Sequence, residues 1–373
     1  YIRLKKNMID TIILQLKQGQ FTIMNYSKFK TSKETTSNVK DNFCKWSNNP
    51  TALDKKLGIY KPRATLIKRG YAEFLKIEFS APKLIFKNNL EELIENDFSL
   101  VVDTLKKRLE AMDILVFKEN LENAEVISFH PSKNIKLNNG YTSNFAIRQL
   151  SKVDIGKRFD IDVKDYRNNG ESLQFYTRLF SICIYDKVND YLKPQRRAID
   201  KDQSYTQRSL FDLLKKEDPF FEVLRIEVRL NGKRKINELL QNLGFNRNPC
   251  FKDLFNGDLC KKTLNHSWEM IFNKNEFIFS LNDGPQKILE SLIVKNNDIK
   301  LIKAINIVGL YLLIKDKDGI GGLRKIIDAR HKKHNWGVIR RYMSTLEKKI
   351  DHPIYGFVQD IERGLKEFKN YKL

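Results

Sequence analysis

Two short segments hold the residue types most suited to chemistry: Ile184-Tyr185-Asp186-Lys187 and Leu224-Arg225-Ile226-Glu227-Val228-Arg229. In extended backbone, alternate side chains share a face. Tyr185 and Lys187 therefore fall together with Ser181 and Cys183, while Ile182, Ile184 and Val188 point the other way, interrupted by Asp186. In the second segment Arg225, Glu227 and Arg229 share a face opposite Leu224, Ile226, Val228 and Leu230. A phenol is a weak nucleophile until its proton is removed or its charge compensated. A phenol, an ammonium, a carboxylate and two guanidiniums together suit transesterification at a phosphodiester. Tyr185 would attack and Lys187 would lower the phenol's pKa or stabilise the leaving oxygen. Arg225 and Arg229 would grip phosphates. A divalent cation, Mg²⁺ or Mn²⁺, held by Glu227 and its neighbours would polarise the phosphate for in-line attack. The products would be a 5′-phosphotyrosine and a free 3′ hydroxyl.

These residues need strands to position them. Tyr71–Phe79 alternates and reads as a strand ended by Ala81-Pro82, with Lys76, Glu78 and Ser80 on its polar side. Glu125–His130 reads as a short strand placing Ser128 beside His130; Leu173–Val188 as two strands or one long one; Phe221–Leu230 as a strand closed by Asn231-Gly232. Helical spacing marks Leu90–Met112, a helix near Tyr205–Lys216, and Lys235–Leu243 stopped by Gly244. Thr31–Asn49 reads as a loop, and Asn134–Ser143 as a polar linker with the turn Asn138-Asn139-Gly140. The expected fold is α+β: an antiparallel sheet with one greasy face on helices and one polar face, carrying the candidate site, exposed to water. An ordinary wetted sheet face fits the same spacing. Beyond residue 246 the strand signals fade and three helices are readable, Ile299–Ile314, Gly322–Arg330 and Trp336–Lys349. The expected partition is a catalytic domain over 1–246, in which residues 1–7 read as an extension or tag ahead of Met8, and a helical basic domain over 247–373.

The chain has 68 Lys and Arg against 46 Asp and Glu, a formal net charge of +22 over 373 residues. So basic a surface attracts polyanions, and DNA is the expected partner; a Lys-rich composition without function is the competing explanation. No run reaches the roughly 18–20 apolar residues that cross a bilayer, so no membrane partner is expected. The greasiest stretch, Ala304–Ile314, reads as a buried helix. Four dispersed cysteines (Cys44, Cys183, Cys250, Cys260) form no CxxC pair, which argues against a zinc ribbon or disulfide scaffold and for a reducing cytoplasm.

At these residues the chain resembles the gene II/X replication initiators of filamentous phages and plasmids, and shares features with the Rep_trans plasmid initiators. The resemblance rests on Met8-Ile9-Asp10 followed by an apolar strand, Lys76-Ile-Glu-Phe-Ser-Ala-Pro-Lys83, the Tyr185-x-Lys187 segment, Arg225-x-Glu227-x-Arg229, and Arg340-Arg341-Tyr342-Met343-Ser344-Thr345-Leu346. It implies an HUH-like catalytic sheet and a rolling-circle nickase-ligase that cuts at an origin in a bacterial host, with Tyr185 as nucleophile. It also implies a 3′ primer left for a host polymerase. The chain departs from the HUH pattern, since none of its five histidines forms His-hydrophobic-His. The metal candidates are then Glu227, with Glu78, His130 and Glu171 beside it. No Gly-x-x-x-x-Gly-Lys-Ser/Thr phosphate loop is present, so strand separation would fall to a partner helicase or to supercoiling.

Between Arg324 and Lys349 lie nine Lys/Arg and two acids. Helix, turn, helix is the order of a duplex reader, which nominates Arg324, Lys325, Arg330, Lys332, Lys333, Arg340 and Arg341 as DNA contacts; a solvated basic face fits as well. Two competing functions remain at this level: a DNA-binding protein that does not cut, and a relaxase- or transposase-type tyrosine nuclease.

Overall fold

The computed structural model describes residues 9–371 apart from 32–42, 192–221, 331–335 and shorter stretches at 52, 55–56, 87, 157–158, 166–170, 274, 281–283, 296–297, 317 and 350–353. The chain is mixed α/β and centres on one large antiparallel sheet. Its strands are β1 (Ile9–Lys17), β3 (Lys30–Thr31), β4 (Phe43–Asn48), β5 (Arg63–Arg69), β6 (Ala72–Ser80), β8 (Glu125–Lys136), β9 (Asp160–Asp165), β10 (Glu171–Tyr176), β11 (Phe180–Asp186) and β12 (Val223–Asn231). β2 (Phe21–Ile23) and β7 (Ile114–Val116) pair separately. The order across the sheet is β3-β4-β5-β6-β1-β8-β12-β11-β10-β9. The first described strand is thus inserted between β6 and β8; β1 and β8 are the central pair, with β12 next to β8.

The alternation legible in β6, β11 and β12 does set one apolar face. Ile12, Ile77, Phe129, Ile182, Ile184, Ile226 and Val228 are all essentially inaccessible, in one core with helices Phe98–Glu110, Ser143–Leu150, Lys233–Asn242, Gly257–Phe272 and Gly356–Glu367. The opposite face differs from the expectation. Every residue of β11 is buried, and in β12 only Arg229 and Asn231 escape full burial. The face carrying Tyr185 and Glu227 is therefore not a wetted surface but a covered polar layer. Mutual neutralisation of its charges is what makes that burial tolerable.

Several element boundaries move for local reasons. The helix expected over Leu90–Met112 begins only at Phe98. Asn88 Oδ1 accepts from the Leu90 and Glu91 amides, and Asp97 Oδ2 from that of Ile94, so short polar side chains hold this stretch in turns. The Glu125–His130 strand continues through Pro131 to Lys136 and takes in the start of the expected linker; Asn139 and Gly140 then turn the chain with φ of 56° and 75°. The expected loop over Thr31–Asn49 contains strand β4, paired with β5. The helix near Tyr205–Lys216 lies outside the described residues. Helices Leu301–Lys315, Gly319–Arg330 and Trp336–Lys349 are present, as are Phe251–Leu254, Gly257–Phe272, Pro285–Val294 and Gly356–Glu367, which the sequence reading missed. Leu301–Lys315 is not fully buried: Ile305, Leu312 and Leu313 are each about half exposed. Among the described residues, no helix is long and apolar enough to cross a membrane.

The boundary at residue 246 does not separate two cores. Phe251, fully buried, meets Phe79 of β6 edge-on at 5.6 Å and Phe98 at 5.2 Å. Gly319 approaches so closely that a Cβ there would come within 2.5 Å of the Lys152 backbone, whose carbonyl accepts from the Ile320 amide. Residues on both sides of the boundary belong to one apolar cluster. Phe251→Ala is accordingly expected to cost about 3–5 kcal/mol and to lower a single urea transition reported alike by strand and helix signals in circular dichroism; two separable transitions would contradict the shared core.

Candidate active site

Strand pairing assembles the cluster. β11 runs antiparallel to β12 with Tyr185 opposite Arg225 and Cys183 opposite Glu227, and β12 pairs β8 with Glu227 opposite Ser132 and Arg225 opposite Asn134. Tyr185 thus lies diagonally across from Glu227, and diagonal neighbours on one face are within reach of long side chains. The phenol donates to Glu227 Oε2 at 3.0 Å. Arg229 Nε donates to the other carboxylate oxygen, Oε1, at 2.7 Å, and His130 Nδ1 stands 3.6 Å from that same atom. His130 Nε2 lies 3.1 Å from Asn231 Oδ1 and 3.0 Å from Ser128 Oγ, which fix the ring. Tyr185 is 8% exposed and belongs to this polar layer rather than to the apolar cluster.

Arg225 lies beneath. Its Nη2 donates to Asp10 Oδ2 at 2.8 Å and Ser132 Oγ at 2.7 Å, its Nη1 to the Asn89 carbonyl at 2.6 Å and Asn134 Oδ1 at 3.3 Å, and its Nε is 3.9 Å from Glu227 Oε2. Ser80 Oγ completes Asp10 by donating to Oδ1. A second buried pair, Lys133 with Glu92 at 2.7 Å, sits alongside, and Glu92 also accepts from the Asn134 and Tyr371 amides.

Charge follows from these contacts. Burial alone would push the Glu227 carboxyl up, but Arg229, Arg225 and His130 outweigh it and hold the group well below the usual carboxylate range. Burial opposes the charge of Arg225, yet the Tyr185 oxygen, Asp10, Glu227 and Glu92 raise its affinity for the proton. Burial pushes the neighbouring Cys183 thiol up to about 11, so it stays protonated, and carries the Asp186 carboxyl up to about 6.

Lys187 does not continue the strand. β11 ends at Asp186, whose carboxylate accepts from the Asn189 amide and side chain, and Lys187 opens the short helix Lys187–Tyr191. Its Nζ nevertheless stands over the Tyr185 ring, 5.9 Å from the centroid, and donates to Asn89 Oδ1 at 2.7 Å. The other nominated ligands are not all gathered. Glu78 sits on β6, with β1 and β8 between it and β12. Glu171 begins β10, and its side chain lies outside the described residues. Among the described residues no group of three or more His, Cys, Asp and Glu is arranged to hold a metal. Glu227 and His130 are two donors where Mg²⁺ or Mn²⁺ demands a near-octahedral oxygen-rich shell. Both oxygens of Glu227, and both of Asp10, already face cations or hydroxyls. The described residues do not by themselves form a site for the expected divalent cation.

The nominated phosphate contacts also sort differently. Arg225 is 2% exposed and both its terminal nitrogens are hydrogen-bonded within the protein, which makes it an internal counter-ion rather than a DNA contact. Arg229 has a side chain 37% exposed. Arg324 binds Asp154 at 2.9 Å and stacks over Trp336 at 4.5 Å, which takes it from the DNA-facing set. Lys325, Arg340 and Arg341 are exposed; Lys332, Lys333 and the side chain of Arg330 lie outside the described residues. Asp10, Asn89, Ser132 and Asn134 were missed as site residues. The available signals were an acid opening an apolar strand at Asp10 and the polar run Ser132-Lys133-Asn134 inside a strand.

Compared with family models, with curated proteins and with solved structures, the chain matches none.

Removing Arg225 would strand Asp10 and Glu227 without their shared counter-ion. Arg225→Met is expected to lose about 3–5 kcal/mol of stability in urea unfolding and Arg229→Gln clearly less, because Arg229 is partly solvated; equal losses would refute the division of roles.

Proposed function

We propose that the chain is a DNA strand-transferase of the rolling-circle initiator type, which cuts one strand through Tyr185 and remains joined to the 5′ phosphate. The observation that carries this reading is a phenol hydrogen-bonded to a carboxylate within a ring of fixed positive charge: Tyr185, Glu227, Arg229, Arg225 and Lys187. A residue that must lose a proton and then attack a phosphodiester needs a proton acceptor within hydrogen-bond reach and cations that stabilise the anion formed. The cluster supplies both. The guanidiniums face one negative charge whether it resides on Glu227 or on the phenol oxygen, so proton transfer leaves the local charge balance unchanged. The large antiparallel sheet with the tyrosine on an inner strand supports an HUH-like reading of the catalytic fold, and the resemblance in motif order supports the replication role.

DNA is the partner in this reading. Exposed Arg341 lies opposite the buried Trp336, Met343 and Leu346 of its helix, exposed Arg340 flanks that buried stripe, and the two supply a duplex-facing surface. A host helicase and polymerase in a bacterial cytoplasm would complete the cycle. The burial of Tyr185 favours a second reading, a DNA-binding protein that does not cut.

One pair of measurements separates them. Supercoiled plasmid carrying the DNA around the chain's own coding sequence should yield a covalent adduct mapping to the Tyr185 peptide, and Tyr185→Phe should abolish it. Duplex binding should survive, with a stability change of about 1–3 kcal/mol from the unsatisfied Glu227 oxygen. Binding without any adduct in the wild-type chain would decide for the non-cutting protein. Arg340→Ala/Arg341→Ala should weaken duplex binding and reduce its log–log salt slope by about 2; an unchanged slope would take this helix out of the DNA interface.

A further inference from the structure

If the transesterase reading holds, the site must also grip the scissile phosphate, and the geometry shows which group is free to do so. Glu227 is committed on both oxygens: Oε2 to the phenol at 3.0 Å, and Oε1 to Arg229 at 2.7 Å with His130 behind it at 3.6 Å. Asp10 is committed to Ser80 and Arg225, and Glu92 to Lys133 and two backbone amides. A divalent cation placed at Glu227 would have to displace a guanidinium already bound there and would find His130 as its next donor. Arg225 cannot turn toward a ligand, since its hydrogen bonds run to Asp10, Ser132, Asn134 and the Asn89 carbonyl.

Arg229 differs on each count. Its Nε is pinned to Glu227, its side chain is 37% exposed, and its terminal nitrogens have no hydrogen-bond partner among the described residues. Because Arg229 and Tyr185 bind the two oxygens of one carboxylate, the open edge of the guanidinium and the nucleophilic oxygen are held within the span of a single side-chain group. Guanidinium presents paired N–H donors that match two phosphate oxygens.

We propose that Arg229 binds and neutralises the scissile phosphate, with Glu227 as proton acceptor, so that strand transfer at this site requires no divalent cation. The step balances without one. The Tyr185 proton passes to Glu227 Oε2 as the phenol oxygen forms its bond to phosphorus. The bond from phosphorus to the 3′ oxygen breaks, the leaving oxygen takes a proton from water, and the hydroxide so formed recovers the proton held on Glu227, which returns to the carboxylate. Religation is the reverse.

The test uses the full chain and single-stranded oligonucleotides of randomised sequence carrying a 3′ label, which moves onto the protein only when a 5′-phosphotyrosine forms. Label transfer is measured in Mg²⁺, in Mn²⁺ and in EDTA for the wild type, Arg229→Lys and Tyr185→Phe, with oligonucleotide binding and thermal melting followed in parallel. Transfer by the wild type in EDTA should stay within about threefold of that in Mg²⁺. Arg229→Lys, which keeps the charge and loses the paired donors, should fall by about 100-fold or more, the scale for losing a preorganised donor to a transition state, while binding and melting change little. Transfer that needs the cation, or an Arg229→Lys rate within a few-fold of wild type, overturns the proposal and leaves the transesterase reading intact. No transfer in any arm, with the wild type indistinguishable from Tyr185→Phe, removes both.

Discussion

The structure is organised around a guanidinium with almost no access to water. Arg225 sits on a central strand and must be compensated where it lies, because an uncompensated charge there would cost several kcal/mol. The compensation comes from elements far apart in sequence: Asp10 at the start of β1, Ser132 and Asn134 on β8, the Asn89 carbonyl, and Glu227 two residues further along β12. These bonds join the central strands on the face opposite the apolar core, and they let that face be covered.

The same arrangement makes Tyr185 more than a packed aromatic. Its hydroxyl meets a carboxylate that is fully ionised because two guanidiniums surround it. An ionised acceptor beside a phenol, in surroundings drier than bulk water, makes each electrostatic contact stronger than it would be at a surface. The neighbouring Cys183 thiol is carried the other way by burial and stays neutral, whereas the phenol has a carboxylate aimed at it. The segment ahead of helix Phe98–Glu110 supports both cations, since Asn89 takes Lys187 with its side chain and Arg225 with its carbonyl. That segment is held in turn by the end of the described chain, where Asn370 donates to the Glu92 and Leu93 carbonyls and the Tyr371 amide to the Glu92 carboxylate.

The C-terminal helices are part of this frame. Phe251 enters the aromatic cluster of Phe79 and Phe98, Asp360 accepts from the backbone and side chain of Asn138 in the turn after β8, and helix Gly356–Glu367 packs against β8 itself. Lys315, pulled down to about 8 by burial, donates to the Ile278 and Ser280 carbonyls and ties helix Leu301–Lys315 to the single helical turn Glu276–Phe279 and its end. Its basic helices thus have a fixed placement relative to the sheet rather than hanging from a linker.

Alternation in β6, β11 and β12, the Asn138-Asn139-Gly140 turn and the stop at Gly244 were legible in sequence, because each is a local property of side-chain period or of backbone conformations that Asn and Gly adopt cheaply. So was the placing of Tyr185 and Glu227 on one polar sheet face, which follows from the parity of their strands. Which strands would be neighbours was not legible, since β1 enters between β6 and β8 and brings in Asp10 from a distance in sequence that no period encodes. Nor was the fate of equivalent arginines. Arg225 and Arg229 have the same parity on the same strand, yet one is locked among oxygens and the other reaches water. That difference belongs to the surroundings that the tertiary fold assembles around each position. Sequence alone determined the chemical groups and the face they share; the tertiary structure alone decided that this face is covered, that the Glu227 carboxylate is taken up by the Tyr185 phenol and Arg229, and that Lys187 begins a helix.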